Sequence, residues 1–376
     1  MRGVDGEGFL DVAGGLLSVM STADRPAELR RALDAVLDVV GPGFTVERFE
    51  SRGKPSALVY PGAANPGAAN PGAGRPHFRV MLNAHLDVVP GEARQFRPRR
   101  EGTRLYARGA QDMKVSALVE AQVFAGLAAD LPYPLGLQLV TDEEVGGRDG
   151  TRHQLEQGVG ADFVIIGEQS GLRIVTDSKG MVTVNLHATG RSAHAAYPWL
   201  GDNALLKLQR SLANLLARYP VATEEAWRTT VNVARIETAN RARNRIPDQA
   251  EAWLDIRFPP EDIDLNAKAP EDVAAYLAAF CEPGVRPDVD HADPPHHADR
   301  DRPEVRLLQQ AAREQGYSGE FQRKHGAADG RYYYQRGIDA VIFGIGGDGQ
   351  HGPDEYADIT TIEPYRRALA GFLRAL

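Results

Sequence analysis

Cysteine is almost absent: Cys281 is the single thiol in 376 residues, so no intramolecular disulfide framework can form and a reducing compartment is expected. Long apolar runs are missing too. No stretch approaches the roughly 18 uninterrupted apolar residues that a bilayer-crossing helix needs. The N-terminus, MRGVDGEGFLDVAGGLLSVM, mixes acidic residues and glycines with only a short apolar stretch. Neither a signal peptide nor a membrane anchor is expected, and the expected location is the cytoplasm. Charge of one sign is also lacking. The 43 basic and 51 acidic residues are scattered along the chain for a formal net charge of −8, so nucleic acid is not an expected partner.

What is present is apolar material, 43% of the chain, enough to bury a sizeable core, and a length that predicts two domains. The segment PGAANPGAANPG (61–72) repeats a five-residue unit without apolar periodicity and reads as an exposed loop. Beside it, SALVY (56–60) and FRVMLNAHLDVV (78–89) read as strands, the second central because it is almost continuously apolar. A helix over 114–131, a strand over 135–141, a helix over 151–158 and a strand over 162–167 then alternate, the pattern of an α/β layer with a largely parallel sheet. A helix over 303–316, a strand over 340–346 and a helix over 362–376 repeat that texture. Between them, MVTVNLHATG (181–190) and AEAWLDIRFP (250–259) alternate apolar and polar residues around a helix at 203–219, as half-exposed antiparallel strands do. The chain therefore reads as one α/β domain over 1–179 and 291–376, interrupted by an α+β domain over 180–290. The exit, DPPHHADRDRP (293–303), has linker composition.

In such a sheet, functional groups collect at the carboxyl ends of the strands. The strand at 78–84 runs into His85, Leu86 and Asp87; that at 135–141 into Asp142, Glu143 and Glu144; that at 162–167 into Glu168; and that at 340–346 into a glycine-rich loop ending at His351. RGAQDMK (108–114) adds Asp112 just before a helix, where a carboxylate caps the helix or binds a cation; both uses are expected. Imidazole nitrogen and carboxylate oxygen suit borderline metals, zinc first, with cobalt or manganese fitting the same donors. Two imidazoles and three carboxylates can hold two ions. With Asp112 bridging, His85 and Glu168 complete one site and His351 and Glu144 the other, about 3.5–4 Å apart, around an acidified water. Asp87 is suited to accept the second N–H of His85 and fix its tautomer. Glu143, adjacent to a ligand but pointing elsewhere, is suited to take a proton from the water and return it to the leaving amine.

The motifs HLDVVPG (85–91), RGAQDMK (108–114), TDEEVGG (141–147), GEQSG (167–171) and HGPDEY (351–356) resemble those of the M20 metallopeptidases, in order and over nearly the whole chain. That family includes acetylornithine deacetylase, succinyl-diaminopimelate desuccinylase, aminoacylase and glutamate carboxypeptidase. The resemblance implies a di-zinc catalytic domain carrying an inserted lid or dimerisation domain, and a homodimer. GRSAHAAYPWLGDNAL (190–205) resembles the lid motif whose histidine, here His194, reaches the partner subunit's site and stabilises the developing oxyanion. NRIPDQAEAWLDIR (244–257) resembles the segment that gives Asn244 and Arg257 to substrate, and HGAADGRYY (325–333) the loop whose Arg331 binds a substrate carboxylate. Two departures stand out: Val115 replaces a common glycine after the lysine, and Gly326-Ala327-Ala328 replaces a glycine-threonine run.

Singly, each residue has a plainer reading. His85 and His351 read as structural or exposed histidines, Glu143-Glu144 as a solvated pair, Asp112 as a helix cap. Their conjunction at one sheet edge inside five motifs decides for the metal centre. His153, His187, His291, His296 and His297 read as surface residues, and His325 is left open. The expected reaction is hydrolysis of the amide bond of a small N-acyl amino acid or short peptide, with deacylation slightly preferred because the resemblance implies Arg257 and Arg331 as carboxylate anchors and is stronger to the desuccinylase and deacetylase branch, as in AHAAYPWLGDN (193–203) and AADGRYY (327–333). A carboxypeptidase or dipeptidase on the same centre is the alternative within the class, and a non-catalytic binding protein the alternative outside it.

Overall fold

Leu29, Leu33, Val36 and Val40 recur at helical spacing behind Pro26, a residue suited to a first helical turn. In the computed structural model, Pro26–Val40 is a helix that buries that stripe. The structure describes residues 6–62 and 75–376. Positions 63–72 of the Pro/Gly/Ala/Asn repeat lie outside the described residues. The helix Val115–Leu127 lacks a polar face and is buried along most of its length, between Pro26–Val40 and Ile362–Ala375, with Gly126 exposed near its end.

The fold is mixed α/β with a mostly parallel central sheet. Its strands run in the order Phe44–Ser51, Lys54–Pro61, Leu135–Val140, Val80–His85, Phe163–Ile166 and Asp339–Ile342, after which Ile174–Ser178 follows. The middle four pair in parallel, and the first two form an antiparallel hairpin on that edge. Every residue of Val80–His85, Leu135–Val140 and Phe163–Ile166 is buried, which is why these segments read as continuous apolar runs. Fully burying one such Val, Leu or Ile contributes about 1.5–3 kcal/mol relative to exposure. Because the strands are neighbours and parallel, the residues just beyond His85, Val140 and Ile166 emerge side by side. The strand expected over 78–89 stops at His85, where the chain turns away from the sheet. A small separate sheet of Arg99–Glu101, Arg104–Tyr106, Tyr356–Asp358 and Gly347–Asp348 holds the hairpin that carries His351.

The chain divides into two compact units. One comprises Met1–Thr176, His297–Arg323 and Ala328–Leu376; the other comprises Asp177–His296 and Lys324–Ala327. The second is an antiparallel sheet in the order Thr230–Glu237, Gln249–Phe258, Gly180–Thr189, Val285–Asp293. Its strand Gly180–Thr189 alternates buried and half-buried residues, as a one-sided sheet requires. The helix Ala204–Arg218 packs on this sheet and is capped by Asn203, whose side chain accepts from the amides of Leu205 and Leu206. The segment expected to be a linker is ordered structure instead: Pro294, Pro295, His296 and Ala298 are buried, and His296–His297 is a short strand. The surface reading of His296 is therefore corrected. Among the described residues, no helix is long and apolar enough to cross a membrane.

Lys114, fully buried, donates from Nζ to the carbonyls of Val19 (2.8 Å) and Leu16 (3.4 Å) at the end of the helix Gly6–Leu17. Burial pushes its ammonium down to about 7, from an ordinary 10.5. Between those two values the unfolded chain binds a proton that the folded chain does not, so this group's contribution to stability rises with pH across that interval. Below about 7 both states are charged and the burial cost is complete. Lys114→Met is therefore expected to gain stability relative to wild type at pH 6 and to lose that advantage towards pH 10. Urea unfolding at both pH values checks this, and an advantage independent of pH would contradict it.

Candidate metal centre and active site

His85 ends a central parallel strand, so its imidazole is held at the sheet's carboxyl edge, 1% exposed. Its Nε2 lies 2.8 Å from Asp112 Oδ1. Its Nδ1 faces the Asp87 main-chain carbonyl at 3.1 Å and the Asp87 carboxylate at 3.5 Å. The nearer acceptor is thus the carbonyl. The Asp87 carboxylate itself accepts the backbone N–H groups of Glu143 (3.2 Å) and Glu144 (3.0 Å), so one buried side chain ties the His85 turn to the glutamate turn.

Asp112 does not cap the following helix. That helix starts at Val115 with no side-chain cap, and Asp112 and Met113 have non-helical backbone angles. The Asp112 carboxylate is turned instead towards the two histidines: Oδ1 to His85, and Oδ2 to His351 Nε2 at 3.3 Å. His351 Nε2 also lies 3.1 Å from Glu144 Oε2. Two donor clusters result, His85 with Glu143 and Glu168, and Asp112 with Glu144 and His351. Within each, the candidate ligand atoms lie within 4.8 Å of one another. His351 sits in a hairpin at φ +60°, a left-handed conformation that a histidine rarely adopts.

Electrostatics fit a cationic guest. Burial, reinforced by Glu168 and Asp329, pushes the Glu143 carboxyl well above the usual range, and burial raises Glu144. Hydrogen bonds from His351 and His85 outweigh burial at Asp112 and hold it well below that range. His351 is raised to about 10 by its bonds to Asp112 and Glu144. With four carboxylates ionised and both imidazoles neutral, two divalent ions would balance the charge of the cluster. The residues present therefore fit a two-metal group.

Three further side chains complete the arrangement, all missed by reading the strand ends. Glu355 is 2% and Arg108 3% exposed, and they pair at 2.5 Å. Glu355 Oε1 also accepts the amides of Gln111 (3.1 Å) and Asp112 (3.2 Å), while Arg108 donates to the carbonyls of His351 and Gly352. Gln350 donates from Nε2 to Asp112 Oδ2 at 2.6 Å. Glu355 and Arg108 lie inside two of the motifs named above, four residues from His351 and from Asp112.

Of the residues inferred by resemblance, Arg331 belongs to the unit that holds the metal ligands, and His194, Asn244 and Arg257 belong to the second unit. Arg331 is buried, and its Nη2 donates to the Gly146 carbonyl at 2.8 Å while the guanidinium covers the Tyr332 ring. Arg257 gives Nε and Nη2 to the two oxygens of Asp255, two positions away on the same strand face. His194 and Asn244, in the second unit, are exposed. His194 Nδ1 accepts the Ala196 N–H at 3.1 Å, and the Asn244 carbonyl accepts from Ala195. His325 lies 3.3 Å from Glu225.

Residues 81–375 match the model of peptidase family M20/M25/M40. A probable carboxypeptidase of Emericella nidulans is 30% identical over 295 residues, covering 70% of this chain and 66% of that protein. The chain spans about half to two thirds of the length of the curated relatives it matches. A tripeptidase from Staphylococcus aureus has a similar structure, with a TM-score of 0.76, 16% identity, and coverage of 99% of this chain and 98% of that one. A Bacillus subtilis protein described as a dinuclear metal-binding peptidase of the M20 family gives a TM-score of 0.68 at 16% identity, covering 98% and 97%. A family model matching most of the chain, on a fold shared end to end, makes this protein a member of the M20 peptidase family.

Proposed function

We propose that this chain is a metal-dependent hydrolase that cleaves amide bonds in short peptides, as a carboxypeptidase or dipeptidase. The observation that carries this reading is the Asp112 carboxylate, whose two oxygens face different histidines, each inside its own cluster of acidic residues. Two divalent ions, zinc first by donor type with cobalt or manganese fitting equally, would be held by His85, Asp112 and Glu168 and by Asp112, Glu144 and His351, and would supply Lewis-acid polarisation of the amide and of a water. Asp87 fixes the backbone from which Glu143 and Glu144 project. Glu143, the carboxylate left over, takes the proton from the attacking water and delivers it to the leaving amine.

Peptide cleavage is preferred to deacylation for two reasons. The curated relatives matched are named probable carboxypeptidases. The two arginines that motivated deacylation are engaged within the protein, Arg257 through both oxygens of Asp255 and Arg331 through the Gly146 carbonyl, which weakens the case for them as free carboxylate anchors. His194 is assigned to the oxyanion: with Nδ1 accepting from Ala196, its Nε2 carries the proton and can donate. That role, those of Asn244 and Arg257 towards substrate, and a homodimer through the inserted unit rest on the family resemblance. A cytoplasmic location rests on the cysteine content.

Metal analysis of the purified protein, followed by a panel of dipeptides, longer peptides, N-acetylornithine and N-succinyl-diaminopimelate, tests the reading. Chelation is expected to abolish hydrolysis. Restoring zinc at about 100 times its dissociation constant is expected to stabilise the fold by about 2.7 kcal/mol for each ion bound. A protein that takes up no divalent ion, or that cleaves only the acylated amino acids, contradicts the proposal.

A further inference from the structure

Asp112 has three side-chain partners: His85 Nε2 at 2.8 Å, His351 Nε2 at 3.3 Å and Gln350 Nε2 at 2.6 Å. For a carboxylate to serve two cations, its plane must stay fixed so that each oxygen keeps its own target. The histidines cannot hold it there once cations are bound. Each ring nitrogen facing Asp112 has one lone pair, and ligating through it removes the N–H that would donate to the carboxylate. The carboxamide differs. Its NH₂ group has no lone pair to offer a cation, and Asp112 Oδ2 has room for both a cation and an N–H donor. Of the three contacts, only Gln350 is compatible with a loaded centre.

The direction of that carboxamide is set in turn. Gln169, next to Glu168, donates from Nε2 to Gln350 Oε1 at 3.3 Å, so the Gln350 oxygen is engaged away from Asp112 and its NH₂ faces the carboxylate. The two glutamines therefore link the loop after Glu168 to the loop before His351 through the carboxylate shared by both clusters. We propose that Gln350 is a positioning residue that holds Asp112 in its bridging orientation, with Gln169 orienting Gln350. The proposal rests on the two-metal reading above. Outer partners of metal ligands commonly change affinity by about 10- to 100-fold when removed.

The test is titration of the full chain with cobalt(II), which reports coordination by its visible absorption, for wild type, Gln350→Met, Gln169→Met and the double variant, with thermal midpoints measured in parallel. Gln350→Met keeps length and removes both donor and acceptor. The expected result is that it weakens both cobalt ions about tenfold or more and leaves the metal-free thermal midpoint unchanged, because Gln350 is exposed and contributes little to the fold. Gln169→Met is expected to do the same to a smaller extent, and the double variant to be no weaker than Gln350→Met alone. Unchanged cobalt constants in Gln350→Met, or weakening confined to one of the two ions, would overturn the positioning role while leaving the two-metal reading intact. A wild type that binds no pair of cobalt ions overturns both.

Discussion

Glu143→Gln is expected to lower kcat on a peptide substrate by about 10²- to 10⁴-fold, the usual scale for losing a positioned general acid–base group, while two metal ions remain bound. The isosteric amide keeps the volume beside His85 and Glu168 but cannot accept and return a proton. Its backbone stays anchored by the Asp87 carboxylate, so Glu144 keeps its place near His351. KM is expected to change little, because the lost interaction belongs to the transition state. Metal content is the discriminating measurement, since Glu143 lies within 4.8 Å of the other candidate ligands in its cluster. Loss of one ion along with activity would make Glu143 a ligand, and retained activity would remove it from the chemistry.

The second large effect concerns a residue outside any metal cluster. Glu355→Ala is expected to destabilise the fold by about 3–5 kcal/mol, the scale on which breaking one half of a buried ion pair strands the other charge. Arg108 would be left as a guanidinium in a site where it is 3% exposed, and the amides of Gln111 and Asp112 would lose their acceptor. The same change loosens both ends of the centre, because Arg108 also holds the His351 and Gly352 carbonyls. Metal affinity is therefore expected to fall with stability. Urea unfolding combined with metal titration checks this. Arg108→Met/Glu355→Met should recover much of the stability by removing both charges, yet leave the amides unsatisfied and metal binding poor. A double variant with normal metal affinity would show that the pair only fills space.

Most of the sheet, and the donors at its edge, could be read locally. Val80–His85 and Phe163–Ile166 are short apolar runs ending in His85 and just before Glu168, and parallel strands bring such ends together whatever the loops do. Asp112 was identified as a donor, but its second expected role failed, because cap geometry depends on backbone angles that the surrounding residue types do not encode. Arg331 carries the same motif whether its fork is free or spent on a carbonyl 185 positions away, so its engagement with Gly146 could not be seen. Arg108 and Glu355, 247 positions apart, are likewise invisible to any window of local pattern. The two prolines before His296 give the segment the composition of a linker, whereas its burial comes with pairing to the strand Ile174–Ser178, over a hundred positions away. The helix Pro26–Val40 is legible from its apolar stripe alone.

The buried ammonium of Lys114 makes the segment from Gly6 to Val19 part of the wall behind the metal ligands. Its two acceptors, the carbonyls of Leu16 and Val19, come from a segment that contributes no side chain to the chemistry. Trimming the chain past residue 19, or a proteolytic nick that let this segment drift away, would remove both acceptors of Lys114 and open to water a wall two residues from Asp112. The helix Gly6–Leu17 is in effect a plug beneath the wall that carries Asp112, and versions of the chain lacking it should fail there first.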